Sequence, residues 1–121
     1  MSGRYAKRID ATHKEVREAF RRVGCSVHDA ATAGGGFPDL VVAAPLVLPG
    51  LTVPFTFLCE VKTPRRASRL NPRQRKFARG WSGAFIVIES EAEAEEVVAC
   101  LRAGSLAVFE EPRFAERLPK R

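Results

Sequence analysis

No apolar run in this chain approaches the roughly 18 residues that a membrane-spanning helix needs. The basic opening, Met1 to Arg8, leads into no apolar stretch of the kind a secretory signal carries. Cysteine is scarce: Cys25, Cys59 and Cys100 are irregularly spaced and form neither a CxxC pair nor a disulfide framework. The expected setting is therefore a reducing cytoplasm. Cys25 and His28 have a metal-like spacing, but zinc needs four convergent ligands, and Cys59 and Cys100 fall on apolar faces. His13 lies on a helix stripe, where it reads as a satisfied edge histidine rather than a general base. GxSxG, Walker A and GxGxxG are all missing, so acyl transfer, nucleotide hydrolysis and dinucleotide binding have no support. There is no internal repeat and no low-complexity linker, and 121 residues fit a single domain.

What is present is globular and basic. Apolar residues make up 45% and charged residues 28%, close to the averages for folded domains. Lys and Arg outnumber Asp and Glu by 20 to 14, and the excess is local. From Lys62 to Arg79 there are eight basic residues and no acidic one, whereas Glu89 to Glu96 holds five Glu and no basic one. A one-signed basic segment suits a polyanion, nucleic acid first among them. A solvated Arg-rich surface is the plain alternative.

Residues 9–23 read as an amphipathic helix. Ile9, Thr12, His13, Val16, Ala19, Phe20 and Val23 fall within about 60° of one line, and Gly24 stops the helix. Glu15 sits about 100° from the stripe centre, at its flank, and Glu18 about 160° away. Ser26-Val27-His28 is a candidate short strand, and Ala33-Gly34-Gly35-Gly36-Phe37-Pro38 a loop. Asp39 to Ala44 reads as a buried strand. The segment 45–54 reads as a long apolar connection turning at Pro49-Gly50, with Phe55 to Lys62 as the second hairpin strand. Asn71-Pro72, with Gln74 three residues after the Asn, starts a helix that ends by Gly80 to Gly83. Ala84 to Ile88 is a third strand. Ser90-Glu91-Ala92-Glu93 is a capping box before a last helix with Ala94, Val97, Val98 and Leu101 on its apolar face, so the acidic cluster has a structural reason. The domain spans residues 9–103, between a basic segment at 1–8 and a tail at 104–121.

Side chains alternate along a strand, so Glu60 and Lys62 share the face opposite Phe55, Phe57, Cys59 and Val61. Unpaired charges on such a strand are costly to bury, which makes Glu60 and Lys62, with Asp39 on the strand before, the candidate chemistry. The bland reading is a Glu60–Lys62 pair on a solvated face.

The pattern Gly35-Gly36-Phe37-Pro38-Asp39-Leu40-Val41-Val42, then Phe57-Leu58-Cys59-Glu60-Val61-Lys62, then Leu70-Asn71-Pro72-Arg73-Gln74 resembles the PD-(D/E)XK nuclease superfamily. Within it the likeness is to the virus-type replication-repair nuclease (VRR-NUC) branch, which is similar to Holliday junction resolvases. It covers about residues 9–90. The resemblance implies an α/β (α+β) fold with a restriction-endonuclease-like core: an N-terminal helix, then a mixed sheet flanked by helices in the order α-β-β-β-α-β-α. It also implies an enzyme, a metal-dependent endonuclease of bacterial or phage DNA replication, recombination or repair. Holliday junctions or other branched DNA would be its substrate, and cleavage would leave a 5′-phosphate and a 3′-hydroxyl.

The resemblance further assigns roles. Asp39, Glu60 and the main-chain carbonyl of Val61 hold Mg²⁺, with Mn²⁺ able to substitute, and Glu15 on the first helix joins them. Lys62 holds the attacking water, and Gln74 stands near the site. Gly35 and Gly36 let backbone approach a phosphate, although a plain flexible loop is equally compatible. Arg65, Arg66, Arg69, Arg73, Arg75, Lys76 and Arg79 bind DNA phosphates, and the scarcity of exposed-looking aromatics there favours sequence-neutral contact over base stacking. A homodimer is expected by analogy with the resolvases, with the apolar segment 45–54 a candidate interface, although burial within the monomer accounts for it equally well. The alternative is a DNA-binding or adaptor module on this fold with little cleavage of its own. A restriction-type enzyme with base-specific readout would need more chain than this.

Overall fold

The computed structural model describes residues 3–64 and 69–120, with side chains from residue 11 onward. Its order is α1 (Gly3–Arg22), β1 (Ser26–Asp29), β2 (Leu40–Leu48), β3 (Leu51–Val61), α2 (Pro72–Gly80), β4 (Phe85–Ile88), α3 (Glu91–Arg102), a 3₁₀ turn (Ala107–Glu110) and α4 (Pro112–Ala115). The four strands form one open mixed sheet in the order β1-β2-β3-β4. β1–β2 and β2–β3 are antiparallel and β3–β4 is parallel, so the molecule is α+β.

Alternation along the strands assigns the layers. On one face Leu40, Val42, Ala44 and Leu46 of β2, with Phe57 and Cys59 of β3, meet Val16, Ala19 and Phe20 of α1 and Ala94, Val97, Val98 and Leu101 of α3. Val16, Ala19 and Phe20 of the predicted stripe are thus buried and Thr12, His13 and Val23 half-buried, while Ile9 has no described side chain; α1 itself begins at Gly3 rather than at residue 9. On the other face Leu58, Phe85 and Val87 pack with Leu70, Phe77 and Ala78 at α2. Both faces of β3 are therefore covered from Phe57 to Glu60. Glu60 lies on the α2 side, 2% exposed, not on a solvated face.

The apolar segment 45–54 is not a loop. β2 and β3 run through it to a two-residue turn at Pro49-Gly50, with Pro45 opposite Pro54. A facing pair that exchanged ladder bonds would need N–H donors that proline lacks. This pair must be of the non-hydrogen-bonded kind, with both ring nitrogens turned outward. β1 ends its pairing at Ala43 and β4 begins at Leu58, so no neighbouring ladder loses a bond.

The tail folds too. Val108 and Phe114 are 2% and 1% exposed and belong to the main core, so the core continues past residue 103. Arg117 secures this end: it donates to the Val87 carbonyl at 2.8 Å and makes two bonds to Glu93, at 2.9 and 2.7 Å, with Glu89 3.2 Å away. Against the cost of burial, these bonds hold the Glu93 carboxyl below its ordinary range. Ser90 caps α3 by accepting the Glu93 N–H, while the Glu93 side chain accepts from Glu89 N–H rather than from the cap residue. Arg22 and Arg113 reach Glu91, Glu95 and Glu96, so the acidic cluster is paired far along the chain. Arg117→Ala should cost about 2–4 kcal/mol, read from the urea midpoint, because it strands two carboxylates in a largely buried place. A loss below about 0.5 kcal/mol would mean that the tail is not part of the cooperative unit.

Candidate active site

The register that pairs Leu40 with Cys59 places Asp39 opposite Glu60 when extended by one residue. Alternating from the Pro45–Pro54 pair, this is again a non-hydrogen-bonded position, the kind in which facing side chains come closest. The two carboxyls are neighbours close enough for the Asp39 charge to act on Glu60, and each also holds the other's strand. The Asp39 N–H donates to Glu60 Oε1 at 3.1 Å, and the Val61 N–H donates to Asp39 Oδ2 at 2.9 Å. In a regular ladder the next bonded partner of Val61 would be residue 38. Pro38 has no N–H to give, so the Val61 carbonyl is left without that donor beside the two carboxyls.

Two further groups converge on Glu60. Gln74 Nε2 donates to Oε2 at 2.6 Å, and Lys62 Nζ stands 3.8 Å from the same oxygen. Gln74 is fixed for this by a capping box: its side chain accepts the Asn71 N–H and its own N–H goes to Asn71, both at 2.9 Å. One residue therefore starts the helix and orients the buried Glu. Burial, reinforced by the neighbouring Asp39 charge and only partly opposed by Lys62, pushes the Glu60 carboxyl up to about 8. Two carboxylates this close cannot both ionise comfortably unless something positive sits between them. This donor set fits a hard divalent cation: Asp39, Glu60 and the Val61 carbonyl would hold it. Among the described residues no three His, Cys, Asp or Glu side chains are grouped to hold a metal, so any such site rests on two carboxylates and a carbonyl.

Glu15 does not join them. It is exposed, and the flank of α1 that faces Asp39 is the other one. His13, Lys14, Arg17 and Asp29 line an open cavity of about 640 Å³ that reaches Asp39, and Glu15 lies about 150° round the helix from the middle of that set. His13 Nε2 and Arg17 are 2.9 and 2.8 Å from Asp29 Oδ2. Despite partial burial, those bonds and the Ala31 N–H pull Asp29 down to about 2. The stripe calculation places Glu15 at a flank without saying which. On this side of Asp39, Lys14 is exposed, while Arg17 is paired with both Asp29 and Glu18.

On the opposite side stands α2. Arg69, Arg73, Arg75, Lys76 and Arg79 are all exposed, with Arg75 donating to the Leu70 carbonyl at 2.5 Å. Arg65 and Arg66 fall outside the described residues. The glycine loop has a specific structural duty. Gly36 has φ +84°, and a Cβ there would come within 2.4 Å of the Arg73 carbonyl oxygen, so the loop can lie on α2 only without a side chain. Gly35 also has positive φ, +67°, but open space around it. Gly36→Ala should therefore cost about 3 kcal/mol or more and Gly35→Ala about 1 kcal/mol, measured by thermal or urea unfolding. Equal costs would show that the approach to Arg73 is not what selects glycine. Phe37, at the loop's end, packs edge-on against Phe77 with ring centroids 5.2 Å apart, so it braces the loop on α2.

The chain matches no known family model, no curated protein and no solved structure. No helix among the described residues is long and apolar enough to cross a membrane.

Proposed function

We propose that this chain is a Mg²⁺-dependent DNA endonuclease, with Mn²⁺ able to substitute, built on a restriction-endonuclease-like core of the PD-(D/E)XK, VRR-NUC type. It hydrolyses phosphodiester bonds of branched or junction DNA in bacterial or phage replication, recombination or repair, and it works as a homodimer. The observation that carries the reading is Glu60, buried beside Asp39 with each carboxyl bonded to the other's strand, Lys62 Nζ 3.8 Å away and Gln74 bonded to it. Folding alone gives no reason to bury a carboxylate against another carboxylate.

A divalent ion held by this pair would acidify a bound water and offset charge on the scissile phosphate. The protein's own groups do the rest. Gln74 keeps Glu60 aimed at Asp39, Lys62 places an ammonium where the attacking water and the developing phosphate charge meet, and the exposed cations of α2 hold the DNA backbone. Across the Asp39 cavity Arg17 is taken up by Asp29 and Glu18, which leaves Lys14 as the cation facing any phosphate there. Contacts of this type read charge rather than sequence, so affinity should fall steeply with salt.

The test is cleavage of labelled four-way junction, flap, duplex and single-stranded DNA across Mg²⁺ and Mn²⁺. Paired symmetric nicks in the junction support resolution, and scattered nicking of every substrate supports a general nuclease. Binding without cleavage under any of these conditions would replace the enzyme with an adaptor module.

A further inference from the structure

On the same face of α2 as the phosphate-binding cations, Arg73, Lys76, Phe77 and Gly80 recur at helical spacing. With Gly35 of the loop and Trp81, they line an open groove of about 540 Å³. Trp81 is 37% exposed and lies nearly parallel to Phe77, with centroids 5.7 Å apart and planes 18° apart. Phe77 is in turn wedged against Phe37, two residues before Asp39. The indole is also set from a second side. A Cβ on Gly83 would meet Nε1 at 2.8 Å, Cε2 at 3.1 Å and Cζ2 at 3.2 Å, so only glycine lets the chain run so close to that side of the ring.

An exposed, pre-set indole beside two cations and no carboxylate is an unusual use of surface. Soluble domains tolerate single exposed aromatics, but this one is backed by a second ring, flanked by Arg73 and Lys76, and joined to the Asp39 loop through Phe37. Aromatic faces next to phosphate-binding cations are how proteins hold unpaired bases, and any base serves because every base has a π-face.

We infer that the groove between the glycine loop and α2 holds an unpaired DNA nucleotide, its base stacked on Trp81 and its phosphate on Arg73 and Lys76. The inference deepens the nuclease reading and rests on it for the identity of the strand. It says which feature of branched DNA the protein selects: a base already out of the duplex, at a branch point or a flap, rather than the helix itself. It also revises the expectation that recognition here is by backbone charge alone.

Trp81 is the only tryptophan in the chain, so its fluorescence reports on this groove and nothing else. In EDTA, titration with an oligothymidylate should quench that fluorescence. Binding should be at least about tenfold tighter than to a blunt duplex of equal length at the same salt. By anisotropy of a labelled strand, Trp81→Ala should weaken single-strand binding by about 5- to 100-fold, with Trp81→Phe recovering much of the loss. Arg73→Ala with Lys76→Ala should weaken it further and flatten the salt dependence. Unquenched fluorescence at saturating strand, or equal affinity for duplex and single strand, overturns the inference, and this test on the wild-type chain needs no variant to fold. Quenching without cleavage in any metal would keep the groove and remove the nuclease. Cleavage without quenching would do the reverse.

Discussion

Glu60→Ala should abolish the proposed metal-dependent cleavage, by about 10³-fold or more in a single-turnover assay on labelled junction DNA. The size follows from what the side chain does. It is one of the two carboxylates grouped there among the described residues, it is buried, and it is the point on which Asp39, Lys62 and Gln74 converge. Asp39→Ala should be as severe, because it removes the other carboxylate and the acceptor of the Val61 N–H. Lys62→Ala should lose about 10²–10³-fold, the usual cost of one charge aimed at a transition state. Gln74→Ala acts through Glu60 and should be milder, with Gln74→Glu worse than Gln74→Ala because it sets a third carboxylate against the pair. Junction affinity of the Glu60→Ala protein should stay close to wild type, since the α2 cations are untouched. Wild-type cleavage from Glu60→Ala would end the enzymatic reading.

In EDTA, the protein should lose stability as pH rises from about 5 to about 8. Glu60 holds its proton in the folded chain up to about 8 but releases it near its ordinary 4.5 once unfolded. Across that window the native state carries the extra proton, so raising the pH favours unfolding. Each unit of pH in the window is worth up to about 1.4 kcal/mol, so the total loss should be on the order of a few kcal/mol. Asp29 and Glu93, held below their ordinary values, act in the opposite sense and only in acid, where their stabilising bonds fail as they protonate. Urea unfolding at half-unit steps of pH reads the slope directly. Glu60→Gln should flatten it, although one amide hydrogen must then face a donor, because both Glu60 oxygens accept N–H bonds. An identical slope in Glu60→Gln would assign the effect to another group. Millimolar Mg²⁺ should stabilise the wild type more at pH 8 than at pH 5.5, since deprotonated Glu60 is the form that binds it.

Asp39, Glu60, Lys62 and Gln74 were legible because strand alternation and a helix-start signal are local and strict. Two residues apart on a strand means the same face, and Asn71 with Gln74 means a capping box. The layer beyond that face was not legible: nothing in Phe57 to Lys62 says that α2 will cover Glu60. Glu15 shows a similar gap, since a helical stripe fixes angular distance from the core but not which flank a distant loop will occupy. Residues 45–54 read as a long connection around the turn signal at Pro49-Gly50, with Pro45 and Pro54 at its ends. In fact each proline faces the other, a pairing visible only once the turn at Pro49-Gly50 sets the register. Trp81 carries no signal of its own in the sequence, and its place depends on Phe77 beside it and on Phe37 from a distant loop. The tail's burial hangs on Arg117, a single cation whose acidic partners lie more than twenty residues earlier in the chain.

The outward-turned rings of Pro45 and Pro54 also limit how two copies of this chain could associate. At those points the hairpin offers an incoming strand no amide proton on either rim, and Val47, next along β2, has its carbonyl against Gly104. Continuation of the sheet from one molecule into another is thus discouraged at the hairpin's outer half. A dimer using this region would have to be joined through side chains such as Leu51, 59% exposed at the hairpin tip, and not through shared backbone bonds.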